Sequence, residues 1–366
     1  MVDWDGLCFN TAVFISGVFV LDYGADKFLD HTVIVGQRLG ISPTLIALLT
    51  AGAEYEELAV VVAAILQHRG PMALGNVMGS TISNILGAFS IGLLCHPGRM
   101  EFDKSAKIYS LLLLVVTTLF VGLAFFNQLH CVTGGILIGI FVVYLISIGY
   151  AVYKGITEPP QLSDSDSDRD SDDEIPTVDE EQHATHRGLI LASESTPLLG
   201  DGDASNGAGG RKPARALYYH VFQLFFGLLA LTLSGYILAH SAGAIADALH
   251  LSGTVIGLTV IAFATTLPEK LISVLSGFRG QGGIVVATAA GSNIFLLTLC
   301  VGVVAVSGGL VNQGDTFVLF DLAMVWASAI SLVAVVLFAP SSRIAGLVLF
   351  AAYIAFLVLE FTVFRR

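Results

Sequence analysis

Between Lys107 and Asn127 the chain reads IYSLLLLVVTTLFVGLAFF (Ile108–Phe126), nineteen residues without a charge. A helix rising about 1.5 Å per residue nearly crosses the ~30 Å hydrocarbon core of a bilayer in that length. Working outward, similar blocks recur along the whole sequence. Hydrophobic residues make up 55% of the 366, charged residues 13%, and the mean hydropathy is +0.80. A soluble domain wets its surface with roughly 25% charged residues, so two or three soluble domains are excluded. The sequence predicts an all-α polytopic membrane protein.

Polar or Gly/Pro breaks divide the apolar blocks into ten expected spans, near 7–22, 41–66, 72–95, 107–126, 131–153, 217–239, 252–277, 283–307, 317–338 and 343–364. Five precede and five follow a polar stretch, which gives three expected regions: a first five-helix repeat (1–157), an acidic disordered loop (158–215) and a second five-helix repeat (216–366). The loop holds fourteen acids and five bases, so it carries most of the net charge of −12. It includes SDSDSDRDSDDE (Ser163–Glu174) and has too little apolar surface to fold alone. Asp3 and Asp5 stand where a cleavable signal would need positive charge, so Leu7–Leu21 is read as the first span. Lys27, Arg38, Arg99, Lys104, Lys107, Lys154, Arg279 and Arg343 fall on the loop's side of the membrane, against Arg69, Arg365 and Arg366 on the other. This bias predicts a cytosolic loop and termini facing the lumen or exterior. The four cysteines (Cys8, Cys95, Cys131, Cys300) lack metal or redox spacing and are expected to be small buried side chains.

The two halves share a pattern. Glu57 is followed 22 residues later by Gly79-Ser80-Thr81-Ile82, and Glu269 is followed 22 residues later by Gly291-Ser292-Asn293-Ile294. In each half the acid lies in one apolar segment and the Gly-Ser pair in the next. Because five helices is an odd number, the second copy enters the membrane inverted, the build of secondary transporters whose site lies between the repeats at the midplane.

Acids inside a span are costly and mark function by default. Two carboxylates meeting in a dry site repel unless a cation or protons neutralise them. Calcium, which takes six to eight oxygen ligands, fits that requirement. Glu57 and Glu269 are therefore the expected charged cation ligands, with Ser80, Asn84, Thr265, Thr266, Ser292 and Asn293 supplying neutral oxygens. Thr265-Thr266-Leu267-Pro268-Glu269 places a proline in mid-span, freeing upstream carbonyls. In the first half Gly52 and the crowded acids Glu54, Glu56 and Glu57 weaken the helix instead. Lys270 is expected to snorkel or to pair with a carboxylate, and not to be a ligand.

These residues resemble the sodium/calcium exchanger family of the calcium/cation antiporter superfamily. The resemblance rests on LSGTVIGLTVIAFATTLPEKLISVLSGF (Leu251–Phe278) and GSNIF (Gly291–Phe295) in the second half. In the first half it rests on GADKFLDHTVIVGQRLGIS (Gly24–Ser42) and ALGNVMGSTISNIL (Ala73–Leu86). It implies calcium export driven by sodium or protons, with the repeat glutamates at Glu57 and Glu269, helix-break hydroxyls at Thr265 and Thr266, and the Gly-Ser-Asn residues at Ser80, Asn84, Ser292 and Asn293. No cofactor is implied. The chain departs from the family's G-T-S-x-P-E at Gly52-Ala53-Glu54-Tyr55-Glu56-Glu57, where both hydroxyls and the proline are missing. Leu296 occupies the position matching Asn84. Both departures bear on sodium coupling and make Glu54 and Glu56 candidates for a proton-coupling role.

In the loop, serines among aspartates look like acidophilic kinase sites. Glu194-Ser195-Thr196-Pro197-Leu198-Leu199 resembles an acidic dileucine sorting signal, with Glu194, Leu198 and Leu199 for a sorting adaptor to read. The expected membrane is vacuolar or another endomembrane, with the plasma membrane as the alternative. The expected activity is calcium antiport by alternating access. Alternatives are a proton-coupled exchanger of another divalent cation, or a non-transporting receptor or scaffold. Hydrolase chemistry is excluded: HExxH is absent and Asp22, Asp315 and Asp321 form no catalytic pair.

Overall fold

The computed structural model describes residues 4–39, 54–153, 217–308, 318–338 and 342–364. Residues 1–160 and 216–366 form one unit, so both halves share one body. The second unit, 161–215, lies outside the described residues, and with it the kinase and dileucine motifs at Glu194, Leu198 and Leu199. Gly52 also lies outside them.

Every regular element described is a helix. The first half contains α1 (Trp4–Arg38), α2 (Tyr55–Leu66), α3 (Gly70–Ile82), α4 (Ser90–Cys95), α5 (Lys104–Phe125) and α6 (Cys131–Tyr153). The second half contains α7 (Leu217–Leu249), α8 (Gly253–Ile256), α9 (Ala262–Thr265), α10 (Leu267–Phe278), α11 (Gly282–Phe295), α12 (Val301–Val306), α13 (Leu319–Phe338) and α14 (Ser342–Thr362). π-helical turns at Ser83–Phe89, Gly257–Ile261 and Leu296–Cys300 link α3 to α4, α8 to α9 and α11 to α12.

Among the described residues eight helices are long and apolar enough to cross a membrane, and Gly253–Thr265 with Leu267–Phe278 meet the same test only as a pair, bent by 48° at the break. The bend falls where Pro268 was expected to break the helix, and Pro268 sits in the first turn of α10, where its missing N–H costs no intrahelical bond. Of the expected span 41–66 only residues 54–66 are described, with α2 over Tyr55–Leu66. The first expected span, 7–22, is corrected: α1 runs 35 residues to Arg38. Asp22, Asp26 and Asp30, four residues apart, end the apolar run but lie on an exposed face, while Leu21 and Ala25 are buried. The helix therefore continues past the point where its hydropathy falls. Likewise the span expected at 217–239 continues as α7 to Leu249.

The two interrupted helices Gly70–Cys95 and Gly282–Val306 are buried along most of their length and form the centre. The outer helices turn large apolar side chains such as Phe19, Val143 and Phe222 outward, as a bilayer permits. The expectation for cysteine is also corrected: only Cys300 is fully buried, Cys95 is half-buried, and Cys8 and Cys131 lie on the outside of their helices.

The halves meet backbone to backbone. A Cβ on Gly79 would lie 2.2 Å from the Leu258 carbonyl oxygen, one on Gly75 2.5 Å from that of Thr254, and one on Gly257 2.4 Å from that of Met72. Small residues let helices approach this closely in a membrane, where lipid gives no hydrophobic reason to associate. This crossing of α3 with the α8–α9 segment brings polar side chains of the two halves within reach of each other.

Candidate functional site

Glu57 lies in the first turn of α2 and is fully buried. Asn76 and Ser80, four residues apart on α3, share one helical face and turn toward it. The Asn76 amide donates to Glu57 Oε2. Ser80 Oγ donates to Glu57 Oε1 at 2.6 Å, and Thr265 Oγ1 donates to the same oxygen at 2.6 Å. Thr265 is the last residue of α9, just before the bend. The carboxylate thus accepts from both halves of the chain, and these donors lower the cost of burying it.

A second network joins the central helices. Asn84 Nδ2 donates to Asn293 Oδ1 at 3.1 Å, and Asn293 Nδ2 donates to the Thr81 carbonyl at 3.1 Å. Asn84 lies within the first π-helical turn, and Asn293 comes three residues before the third begins. Such π turns inside α-helices occur frequently at functional sites. Ser292 is buried beside Asn293 on α11.

Glu269 lies in the first turn of α10, and among the described residues its Oε2 is buried without a hydrogen-bond partner. Glu54, the residue before α2, also has a buried Oε2 without a partner, and the carboxyl groups of Glu54 and Glu269 meet side chain to side chain. Glu56 is half-buried, within electrostatic reach of Glu269 and also of Asp22 and Asp26 on α1. Among the described residues no three His, Cys, Asp or Glu side chains form a ready-made metal centre. The neutral oxygens therefore matter as much as the acids.

Lys270 does not snorkel, and no carboxylate lies within salt-bridge distance of it among the described residues. Its side chain is 8% exposed, and Nζ donates to Ser83 Oγ at 2.9 Å, to the carbonyls of Thr266 at 3.1 Å and Phe263 at 3.4 Å, and to Thr266 Oγ1. Ser83 in turn bonds Thr266 Oγ1 at 2.8 Å and the Tyr353 hydroxyl on α14 at 3.0 Å.

The structure therefore gathers Glu57, Ser80 and Thr265 into one cluster. It pairs Asn84 with Asn293 and Glu54 with Glu269, and it places Thr266 beside Lys270. Sequence reasoning passed over Asn76, Ser83, Lys270 and Tyr353 as site residues. Asn76 was findable as an amide one turn before Ser80 in an apolar segment. Nothing local marks Tyr353, which reaches Ser83 from 270 positions away.

With this geometry in place, the similarities fall on one family. The family model described as "Sodium/calcium exchanger protein" matches residues 9–149 and 219–362, most of the chain, and the chain belongs to that family. Sodium/calcium exchanger MaX1 of Methanosarcina acetivorans is 23% identical over 96% of this chain and 98% of its own length. Inner membrane protein YrbG of Escherichia coli is 23% identical over 83% of this chain and 81% of its own. A solved structure of the sodium-calcium exchanger NCX_Mj matches with a TM-score of 0.55 at 20% identity, covering 96% of this chain and 98% of that one. At that identity the structural match speaks for the fold. The chain is an integral membrane protein of a cation antiporter family, a family of transporters and not of enzymes.

Proposed function

We propose that this chain is a ten-helix antiporter of two inverted five-helix repeats that exchanges calcium for sodium or protons by alternating access. One observation carries the reading: a fully buried Glu57 carboxylate takes donors from both halves, while the nearby acids Glu54 and Glu269 each keep a buried oxygen without a partner among the described residues. Carboxyl groups so placed are stable together only with a proton or cation between them, and a hard divalent ion suits an all-oxygen set. In this reading Glu57 and Glu269 hold the calcium charge, with neutral oxygens from Ser80, Asn84, Thr265, Thr266, Ser292 and Asn293. Calcium and the coupling ion compete for the same acids, which ties the two fluxes together. The Glu54–Glu269 contact favours protons as one counter-ion, with Glu54 and Glu56 as their carriers. The relative MaX1, named a sodium/calcium exchanger, favours sodium.

The test is radioactive calcium uptake into proteoliposomes under an imposed sodium gradient or an imposed pH gradient. Uptake under either gradient is the expected result, and the effective gradient names the counter-ion. No calcium movement under both would sink the reading. Within it, Asn76→Ala removes a donor to a buried carboxylate, a loss of about 1.5–3 kcal/mol. The calcium concentration for half-maximal uptake should then rise about tenfold or more. An unchanged value would mean that Asn76 does not hold Glu57 in its binding geometry.

We place the protein in a vacuolar or other endomembrane, with the plasma membrane as the alternative. Glu194, Leu198 and Leu199 would serve as the adaptor signal and the loop serines as acidophilic kinase sites. Relocation of a fluorescent fusion on Leu198→Ala/Leu199→Ala would test the sorting signal.

A further inference from the structure

A lysine ammonium is a compact cation with three donors. Here it faces four oxygens, two hydroxyls (Ser83, Thr266) and two backbone carbonyls (Phe263, Thr266), drawn from both halves of the chain. The same environment would surround a dehydrated monovalent metal ion. The distances of 2.9, 3.1 and 3.4 Å mark a pocket of ammonium size. The ring of Phe263 closes one side, its centroid 4.8 Å from Nζ. Gly87 leaves room for the stem: a Cβ there would lie 3.4 Å from Lys270 Cε. The hydrogen bonds are also consistent with a donating ammonium. Thr266 Oγ1 gives its proton to the Ala262 carbonyl at 2.6 Å, which leaves it an acceptor toward Nζ. Ser83 Oγ, with Tyr353 as its further partner at 3.0 Å, can accept from Nζ as well. Among the described residues no carboxylate lies within salt-bridge distance of Lys270, and a lysine so buried is costly unless the site needs its charge.

We propose that the Lys270 ammonium is a tethered cation filling a monovalent-cation subsite made by Ser83, Thr266 and the Phe263 carbonyl, and that it thereby limits how many free monovalent ions the antiporter binds. The consequence for coupling rests on the antiport reading above, but occupancy of the subsite is measured separately from calcium.

The experiment counts radioactive sodium and rubidium bound per chain by purified protein without calcium, and calcium bound in a parallel sample. Lys270→Ala, and the more conservative Lys270→Gln, should each bind one more monovalent ion per chain than the native protein. Adding Ser83→Ala to either variant should remove that extra ion. Native-level monovalent binding by a lysine variant that still binds calcium would overturn the proposal. If neither lysine variant folds, Ser83→Ala in the native background decides. The count stays at the native level if the ammonium fills the subsite, and loss of an ion would overturn the proposal. Failure of the native protein to bind calcium would instead count against the antiport reading and leave the subsite count readable.

Discussion

Glu57→Gln is expected to abolish calcium uptake into proteoliposomes while leaving the protein in the membrane and monodisperse. Glutamine keeps the shape of the side chain and an oxygen for Ser80 and Thr265, which meet Glu57 Oε1 at 2.6 Å each. The fold therefore loses little. The site loses a charge that cannot be replaced from water, because Glu57 is fully buried. Removing one partner of a buried charge pair costs about 2–5 kcal/mol, and each 1.4 kcal/mol is about tenfold in affinity. A loss of about a hundredfold or more at subsaturating calcium is the expected size. Glu269→Gln should do the same, since it removes the charge from a carboxyl group with a buried unpartnered oxygen. Native flux in both variants would remove the acids from the cation site.

The second large effect concerns assembly. Gly79→Val should give protein that fails to accumulate as a monodisperse species in detergent. A Cβ at this position lies 2.2 Å from the carbonyl oxygen of Leu258, a backbone atom that cannot rotate away. Overpacking a side-chain core typically costs about 1–3 kcal/mol, and a backbone clash between two helices should exceed that. The crossing would open and Thr265 would move away from Glu57. Gly135→Val on α6 is the control, because apart from its chain neighbours and its own helix backbone no described atom lies within 4 Å of its Cβ position, and the residue is exposed. Equal size-exclusion profiles for the two variants would contradict this account of the crossing.

Much of the architecture was legible because a bilayer allows few solutions. Apolar runs such as Ile108–Phe126 need a helix to satisfy their backbone in lipid, and α5 occupies Lys104–Phe125. Pro268 announced the bend, since it cannot continue a helix without losing a hydrogen bond. The ends of α1 and α7 were less legible. Hydropathy falls once charges appear, but a helix with charges on an exposed face continues as far as its other face finds a partner.

The sequence by itself determined that the chain spans a membrane with helices, that acids and Gly-Ser pairs stand at matched spacing in two halves, and that Glu57 and Glu269 are carboxylates set in apolar segments, which makes them candidates for a site. Each of these follows from local composition and spacing. Only the tertiary structure decided which groups serve which acid. It gave Glu57 the donors Asn76, Ser80 and Thr265, brought Glu54 to Glu269, and placed Lys270 among oxygens instead of carboxylates. Those pairings depend on the close crossing at Gly75, Gly79 and Gly257, where the absence of side chains lets two backbones touch. A local pattern records that glycine is present, but the partner it meets lies about half the chain away and is fixed only when the helices pack.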